Sequence, residues 1–271
     1  MTAAAPTAAR SRRPPKPPPS LVAPAAFVGF LLVTWWAASA EYGIDFDVGE
    51  LLGNLTRGAD ILAEFYPPNW AYLPEIVDPM IETLAMAVIA SVIGCGLALP
   101  LAFLASRVTT PNLVVYLADR GILKIIRALP DLLYALIFVA ALGIGPLPGI
   151  LALILFNVGV VAKLLSETVD GVDPGPIEAA RASGGNRLQT VRWAVLPQVL
   201  PNYVAYSLYT FELNVRASAV LGLVGAGGIG VEINTQRQFF NYPNLSVILI
   251  VIFVAVFLIE QLSIWLRRRL V

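Results

Sequence analysis

The chain has 271 residues, of which 58% are hydrophobic and only 13% are charged. Soluble domains carry about a quarter charged residues, so this composition favours an integral membrane protein. Eighteen basic residues balance eighteen acidic ones, which argues against a nucleic-acid partner. There is no histidine, and Cys95 is the one cysteine. Disulfides, Cys/His metal sites and His-based catalysis within the chain are therefore excluded.

Six apolar segments are long enough, or nearly long enough, to cross a membrane as helices. A crossing takes ~20 mostly apolar residues, and none of the segments shows the two-residue alternation of a barrel strand. The sequence therefore predicts an all-α membrane protein with six transmembrane helices, at roughly residues 21–40, 80–105, 125–143, 149–165, 198–223 and 245–266.

The parts of the chain outside these helices differ in charge. The proline-rich and basic residues 1–20 predict a disordered tail, and 21–40 is predicted to be an uncleaved first helix because its apolar run is too long for a signal peptide. Residues 41–78 carry Arg57 alone against eight acidic residues. Because Lys and Arg are concentrated in cytoplasmic loops, we expect 41–78 outside the cell and both termini in the cytoplasm, with residues 79–271 as the core.

The third predicted helix contains ionisable residues around a proline. Arg127 and Asp131 lie four residues apart, with Pro130 between them. The proline predicts a kink. Two interpretations stay open: Arg127 extends to water from the cytoplasmic end of the helix, or Arg127 and Pro130 line the inner mouth of a pathway.

Between the fourth and fifth predicted helices lies a polar segment, 170–197, that contains "EAARASGGNRLQTVRWAVLP". Its run "DGVDPGP" interrupts the helix, and Gly184-Gly185 separates two short helical pieces. Such a helix–glycine–helix unit at the membrane surface is suited to docking into a groove of a partner protein. The alternative is an amphipathic helix lying on lipid, which would need an unbroken apolar stripe.

The fifth predicted helix contains charges at membrane depth. Glu212 and Arg216 are four residues apart and share a face, with Asn214 and Ser218 nearby. A charge at the bilayer centre costs at least ~2.5–3.5 kcal/mol, so these side chains should face the bundle interior. They form either a mutually neutralising pair or a translocation pathway in which Arg216 offers its planar fork to an oxyanion.

A glycine-rich run, "LGLVGAGGIG" at 221–230, follows that helix. It matches G-x-G-x-x-G, but a dinucleotide site needs a preceding strand in a parallel sheet, so this reading is rejected. The glycines predict unwinding or a sharp bend, as a gate in the pathway or as a site of close helix packing. The residues concerned are Gly225, Gly227, Gly228 and Gly230.

The segment 178–197 resembles the cytoplasmic EAA loop of the permease subunits of bacterial ABC importers. The pattern is Glu-Ala-Ala, three residues, Gly, nine residues, an aliphatic residue, one residue, Leu-Pro. Ala194 stands at the aliphatic position, a small departure, and the matching residues are Glu178, Ala179, Ala180, Gly184, Leu196 and Pro197. The resemblance implies that these residues couple the chain to an ATPase.

"RALPDLLYALIFVAALGIGPLPGILAL" and "ELNVRASAVLGLVGAGGIG" resemble the phosphonate-type permeases, which import phosphonates and in some members phosphate or phosphite. The resemblance covers about 80–266 and implies the type I ABC importer fold in a multi-pass protein of the bacterial cytoplasmic membrane. It further implies a second copy of the permease, two ATP-binding subunits that bind ATP and Mg, and an extracytoplasmic binding protein. No cofactor, metal or enzymatic activity is expected in this chain, and because it contains no G-x-x-x-x-G-K-[ST] motif it cannot supply its own ATPase.

Two alternatives remain. The EAA loop is common to ABC importers, so the solute is open to methionine, another amino acid or a metal chelate. From a different class, a membrane scaffold or channel without an ATPase would share the hydropathy but would not need the loop.

Overall fold

The computed structural model of the protein describes residues 22–39 and 47–270, and the regular elements in that part of the chain are helical. The predicted tail, 1–20, and the start of the predicted outer segment lie outside the described residues. The α-helices are α1 (Val22–Ala38), α2 (Val48–Gly53), α3 (Leu55–Ala63), α4 (Val77–Leu104), α5 (Leu113–Ala128), α6 (Asp131–Leu142), α7 (Pro146–Asp170), α8 (Pro174–Ala182), α9 (Arg187–Thr190), α10 (Leu196–Leu221), α11 (Ile229–Gln238) and α12 (Tyr242–Leu270).

The chain divides into two compact units, Met1–Asp60 and Ile61–Val271. In the first, α1 is an uninterrupted apolar helix of 17 residues, and α2 begins where the Asp47 side chain accepts a hydrogen bond of 2.7 Å from the Gly49 amide. The second unit contains the helices from α4 onward, preceded by a 3₁₀ helix, Trp70–Ile76. The candidate site lies in this second unit.

Three helices in the described ranges are long and apolar enough to cross a membrane alone: the stretch ending in α4, then α7, then α12. Two bent pairs, α5 with α6 and the α9–α10 stretch with α11, raise the number to five if each pair counts as one span. At 1.5 Å per residue, α1 would reach only about 26 Å. Six crossings therefore stay a prediction.

The predicted third span, 125–143, is wrong as a single helix. The chain there forms α5 and α6, whose axes meet at 84°. Leu129 adopts an extended conformation, with φ −100° and ψ 135°, because the ring of a following proline disfavours the helical conformation. Pro130 thus follows the end of α5 and occupies the N-cap position of α6, instead of kinking a single continuous helix.

Small residues allow α4 and α7 to approach closely. A side chain on Gly94 would place its Cβ 2.6 Å from the Asn157 Cβ, and the Asn157 amide donates a 3.0 Å hydrogen bond to the Ala90 carbonyl. Helices in membranes associate through such small residues, because in lipid there is no hydrophobic driving force between helices and close van der Waals packing holds them together. Small residues are frequent among the buried positions of α4, and two of them, Ser91 and Cys95, contact α10.

A buried apolar cluster joins the ends of four helices to the segment 170–197. Ile177 of α8 is 6% exposed, and Val195 is 1% exposed. They pack in one cluster with α4 and α7 residues such as Ala102 and Leu165. The segment is therefore fixed to the bundle at two points and is not a free loop.

Candidate functional site: a coupling loop and a charged, glycine-broken helix

The loop 170–197 is built by strong local signals. The Asp173 side chain caps α8 by accepting a 2.9 Å hydrogen bond from the Gly175 amide, with Pro174 at the first helical position, where no amide is needed. At the other end, Gly184 has φ +83°, and the Gly185 amide donates to the Ala180 carbonyl at 3.0 Å. This left-handed helix end is a common use of glycine.

A capping box then starts α9, in which Asn186 and Gln189 exchange hydrogen bonds of 2.8 and 2.9 Å between side chain and backbone. The next residues form a single turn of π-helix, Val191–Val195, that runs directly into α10. The predicted helix–glycine–helix unit is present, but its second half is the beginning of α10 and not a separate piece. A displacement of the loop therefore acts directly on α10.

The structure separates the motif residues by exposure. Glu178, Ala179, Gly184 and Pro197 are exposed, whereas Ala180 and Leu196 are half-buried. Within the described part of the chain, Glu178 is in none of the ion pairs. The exposed face thus presents an uncompensated carboxylate.

Two polar anchors of this loop were missed by the sequence analysis. Gln198 of α10 accepts from the Asp173 amide at 3.0 Å. Asp170 accepts from the Ser106 hydroxyl and the Arg107 amide and pairs with Arg120 at 3.2 Å. The first contact ties the start of α8 to α10, and the second ties the loop after α4 to the end of α7. Neither had a local sequence signal, since each joins segments distant in the chain.

Glu212 and Arg216 form a pair, as one of the two sequence interpretations had it, and the pair belongs to a larger cluster. Arg216 Nη2 lies 2.7 Å from Glu212 Oε1 and 3.3 Å from Glu260 Oε2, while Arg267 Nη2 lies 3.6 Å from Glu212 Oε2. Glu212 is buried, with a side chain 8% exposed. Two acidic and two basic groups thus neutralise each other between α10 and α12.

Asn214 and Ser218 lie on the other face of α10. The Asn214 side chain is fully buried and donates a 2.7 Å hydrogen bond to Ser91 Oγ of α4, and the Ser218 hydroxyl donates to the Asn214 carbonyl. Residues two apart in a helix are rotated by about 200°. The structure therefore does not bring Asn214 and Ser218 together with Glu212 and Arg216.

The glycine-rich run breaks the helix. The α-helical conformation ends at Leu221, a short 3₁₀ turn, Gly222–Val224, follows, and Gly225 adopts φ +85° before α11 begins, at 45° to the preceding stretch. The run is also tightly packed, because a Cβ on Gly230 would lie 2.1 Å from the Ala219 carbonyl oxygen. The predicted break in the helix and the close packing, which was one of the two interpretations of the glycines, thus occur in the same residues, while the gate interpretation stays a prediction.

The other predicted pathway residues lie at the α5–α6 elbow. Arg127 and Pro130 line a cavity of about 300 Å³, together with Tyr134 and Phe156. Among the described residues, Arg127 makes no ion pair with Asp131, since the bend separates them, and the Asp131 carboxylate accepts from the Leu132 amide at 2.9 Å. The cavity is thus lined by one basic and one acidic residue, Arg127 and Asp131, which form no ion pair with each other within the described ranges.

A comparison with protein families and curated proteins identifies relatives. Residues 98–271 match the family model described as "Binding-protein-dependent transport system inner membrane component". The phosphite transport system permease protein PtxC of Stutzerimonas stutzeri is 38% identical over 86% of this chain and 90% of its own length. The phosphate-import permease protein PhnE of Mycolicibacterium smegmatis is 42% identical over 78% of this chain, which spans only 40% of that protein.

Among solved structures, the methionine ABC transporter MetNI in its inward-facing conformations contains a similar chain. The two share 25% identity over 75% of this chain and 99% of that one, with a TM-score of 0.67. This likeness extends from the fold to the transporter class.

Proposed function

Because this chain belongs to the family of binding-protein-dependent transport system inner membrane components, we propose that it is the permease subunit of an ATP-driven importer of phosphate-type oxyanions. It is a multi-pass protein of the inner membrane. The substrate class comes from the relatives, which are named for phosphate and phosphite. Phosphonates belong to the same chemical class.

The single observation that carries this proposal is the exposed coupling loop. Glu178, Ala179 and Gly184 stand exposed on a unit that Ile177 and Val195 fix to the bundle. A rigid, exposed helix with an unpaired carboxylate suits insertion into a cleft of an ATP-binding subunit. ATP and Mg would be bound there and not by this chain.

The proposed assembly contains two copies of the permease, two ATP-binding subunits and an extracytoplasmic binding protein. In it, the chain crosses the membrane six times, with 41–78 outside and both termini, including the tail 1–20, in the cytoplasm. The distribution of Lys and Arg supports this orientation. ATP hydrolysis in the partner would move the loop 170–197 and switch the two permeases between inward- and outward-facing states.

Within the chain, two places are suited to the pathway. Arg127 and Pro130 line the cavity at the α5–α6 elbow beside Asp131, and the Arg127 guanidinium, which is not paired with Asp131, has the geometry to bind an anion. The glycine run from Gly225 to Gly230 is the proposed gate, because non-helical backbone at membrane depth is tolerated where it lines a cavity or is buried in protein. Arg216 is less suited to the pathway, because its guanidinium group already forms ion pairs with Glu212 and Glu260.

The test is uptake of labelled phosphate by cells with and without this gene, with methylphosphonate and D-methionine as competitors. We expect uptake to depend on the chain, methylphosphonate to compete and methionine to have no effect. Uptake that is independent of the gene, or that only methionine inhibits, would overturn the substrate assignment.

The coupling role is tested in the same assay with Glu178→Arg. Transport should fall at least about tenfold, because the reversed charge opposes docking, while membrane insertion is unchanged. Glu64→Arg, which reverses an exposed charge outside the loop, is the matched control and should retain uptake. Normal uptake by Glu178→Arg with the ATP-binding subunit still bound would contradict the coupling role.

A further inference from the structure

A small basic cavity lies between the loop after α4 and the coupling loop. It measures about 180 Å³, and its lining includes Arg107, Arg181 and Arg187, from three separate segments, but no acidic residue. Within the described ranges none of the three guanidinium groups forms an ion pair. Asp170, which touches the Arg107 backbone, is already neutralised by Arg120 at 3.2 Å. The cavity is therefore a concentrated, uncompensated positive charge.

An apolar groove adjoins this cavity. It measures about 560 Å³ and is lined mainly by the end of α4 and the loop after it, with Arg187 and Leu188 of α9 on the other side. Leu188, one of its lining residues, is 82% exposed. Four residues line both the cavity and the groove, so the two are continuous: Thr109, Pro111, Arg187 and Val191.

The position along α4 sets the depth of both features. The apolar stretch that is long enough to cross the membrane ends at Leu104, a groove residue, and Arg107 follows three residues later. With the apolar part of α4 in the membrane, the groove lies at the headgroup end of the acyl chains, and the arginine-lined cavity lies near the headgroups. Basic pockets at the cytoplasmic ends of membrane helices are suited to lipid phosphates.

We propose that this composite site binds an anionic phospholipid. The three guanidinium forks hold the headgroup phosphate, which they match in geometry and charge, and one acyl chain lies along the groove beside Leu188. A bound lipid would join the loop after α4 to the coupling loop and so hold the latter in position. This inference rests on the membrane location of the chain and not on the identity of the imported solute.

The test is native mass spectrometry of the full-length protein in detergent, with phosphatidylglycerol and phosphatidylcholine of matched acyl chains. We expect a clear preference for phosphatidylglycerol, and replacing one arginine, as in Arg181→Gln, should reduce it about fivefold. The triple variant Arg107→Gln/Arg181→Gln/Arg187→Gln should abolish it. Arg192→Gln is the matched control, because Arg192 is an exposed arginine of the same loop that stacks on Trp193 and lines neither feature.

Two further measurements distinguish a lipid headgroup from free inorganic phosphate as the bound group. Leu188→Gln should weaken phosphatidylglycerol binding while leaving the arginines intact, and excess inorganic phosphate should displace the lipid only partly. No preference in the wild type, or an equal preference in the triple variant, would overturn the proposal. Full displacement by phosphate with no effect of Leu188→Gln would assign the cavity to a free anion and would equally overturn the lipid site. Thermal unfolding of each variant checks its fold, and Arg181→Gln, at an exposed position, serves if the triple variant does not fold.

Discussion

The charged cluster between α10 and α12 and the basic cavity at the coupling loop use the same side chain in opposite ways. In the cluster, Arg216 and Arg267 each lie within 4 Å of a carboxylate, and Glu212 at their centre is buried. At the cavity, Arg107, Arg181 and Arg187 are exposed and lack such a partner among the described residues. Arginine that is paired between α10 and α12 contributes to the structure, whereas arginine left unpaired beside the loop 170–197 is available for a ligand or partner.

Glycine shows the same contrast. Gly230 lies in α11 with no room for a methyl group, while Gly184 has empty space around it and needs its glycine only for φ +83°. One residue is required by packing and the other by backbone conformation. The variants below test this difference in order of decreasing effect.

The largest effect is expected for Gly230→Ala. The new methyl group would lie 2.1 Å from the Ala219 carbonyl oxygen and 2.7 Å from the Gly222 Cα, so the break between α10 and α11 must open. We expect a loss of about 3 kcal/mol in the free energy of unfolding, at the upper end for overpacking, measured by denaturant unfolding in detergent micelles.

Gly96→Ala is the matched control, because Gly96 is a helical glycine of α4 with nothing within 4 Å of its Cβ position. Alanine is the better helix former, so this variant should be unchanged or slightly more stable. Equal destabilisation by both variants would contradict the packing argument.

A smaller loss is expected for Glu212→Gln. It preserves the shape but removes the charge that faces both Arg216 and Arg267. Losing one partner of a buried pair costs about 3–5 kcal/mol, and because the two arginines are 46% and 31% exposed we expect about 2 kcal/mol in the same assay.

Glu260→Gln alters the same cluster at a half-exposed position with one contact at 3.3 Å, and should cost less than about 1 kcal/mol. If the two glutamates prove equally important, burial does not control the strength of this cluster.

Of the three main substitutions, Gly184→Ala is expected to have the smallest effect, above only the controls Gly96→Ala and Glu260→Gln. The alanine fits sterically but must adopt a left-handed backbone conformation. That costs about 1–2 kcal/mol for a residue with a side chain, and Gly184→Asn should cost less because asparagine tolerates this conformation better. Comparing the unfolding of both variants measures the strain alone. An asparagine variant less stable than the alanine variant would show that side-chain size matters at this position.

The sequence predicted the class of fold well, and the family match confirms the resemblance to ABC importer permeases. The apolar run lengths located α4, α7 and α12, and the motif 178–197 located an exposed helix–glycine–helix segment. Run length carries no information about direction, however, and so 125–143 was predicted as one helix although Pro130 turns the chain by 84°. The steric rule for residues before proline could have placed that break.

The candidate site was predictable only where its contacts are local. Glu212 and Arg216 are four residues apart in one helix, so their pairing followed from the sequence. Glu260 and Arg267 join them from a helix about 45–55 positions further along the chain, and no local pattern indicates such a partner. The opposite placement of Asn214, by contrast, was implicit in the helical period.

The continuity of α10 with the coupling loop has a mechanical consequence. This helix of 26 residues is about 39 Å long, and it is held on one side by Asn214 against Ser91 and on the opposite side by Glu212 against Arg267. Turning about its own axis would break both contacts at once. Rotation is thus opposed on two sides, so a displacement of the loop should reach the glycines by movement of α10 as one body.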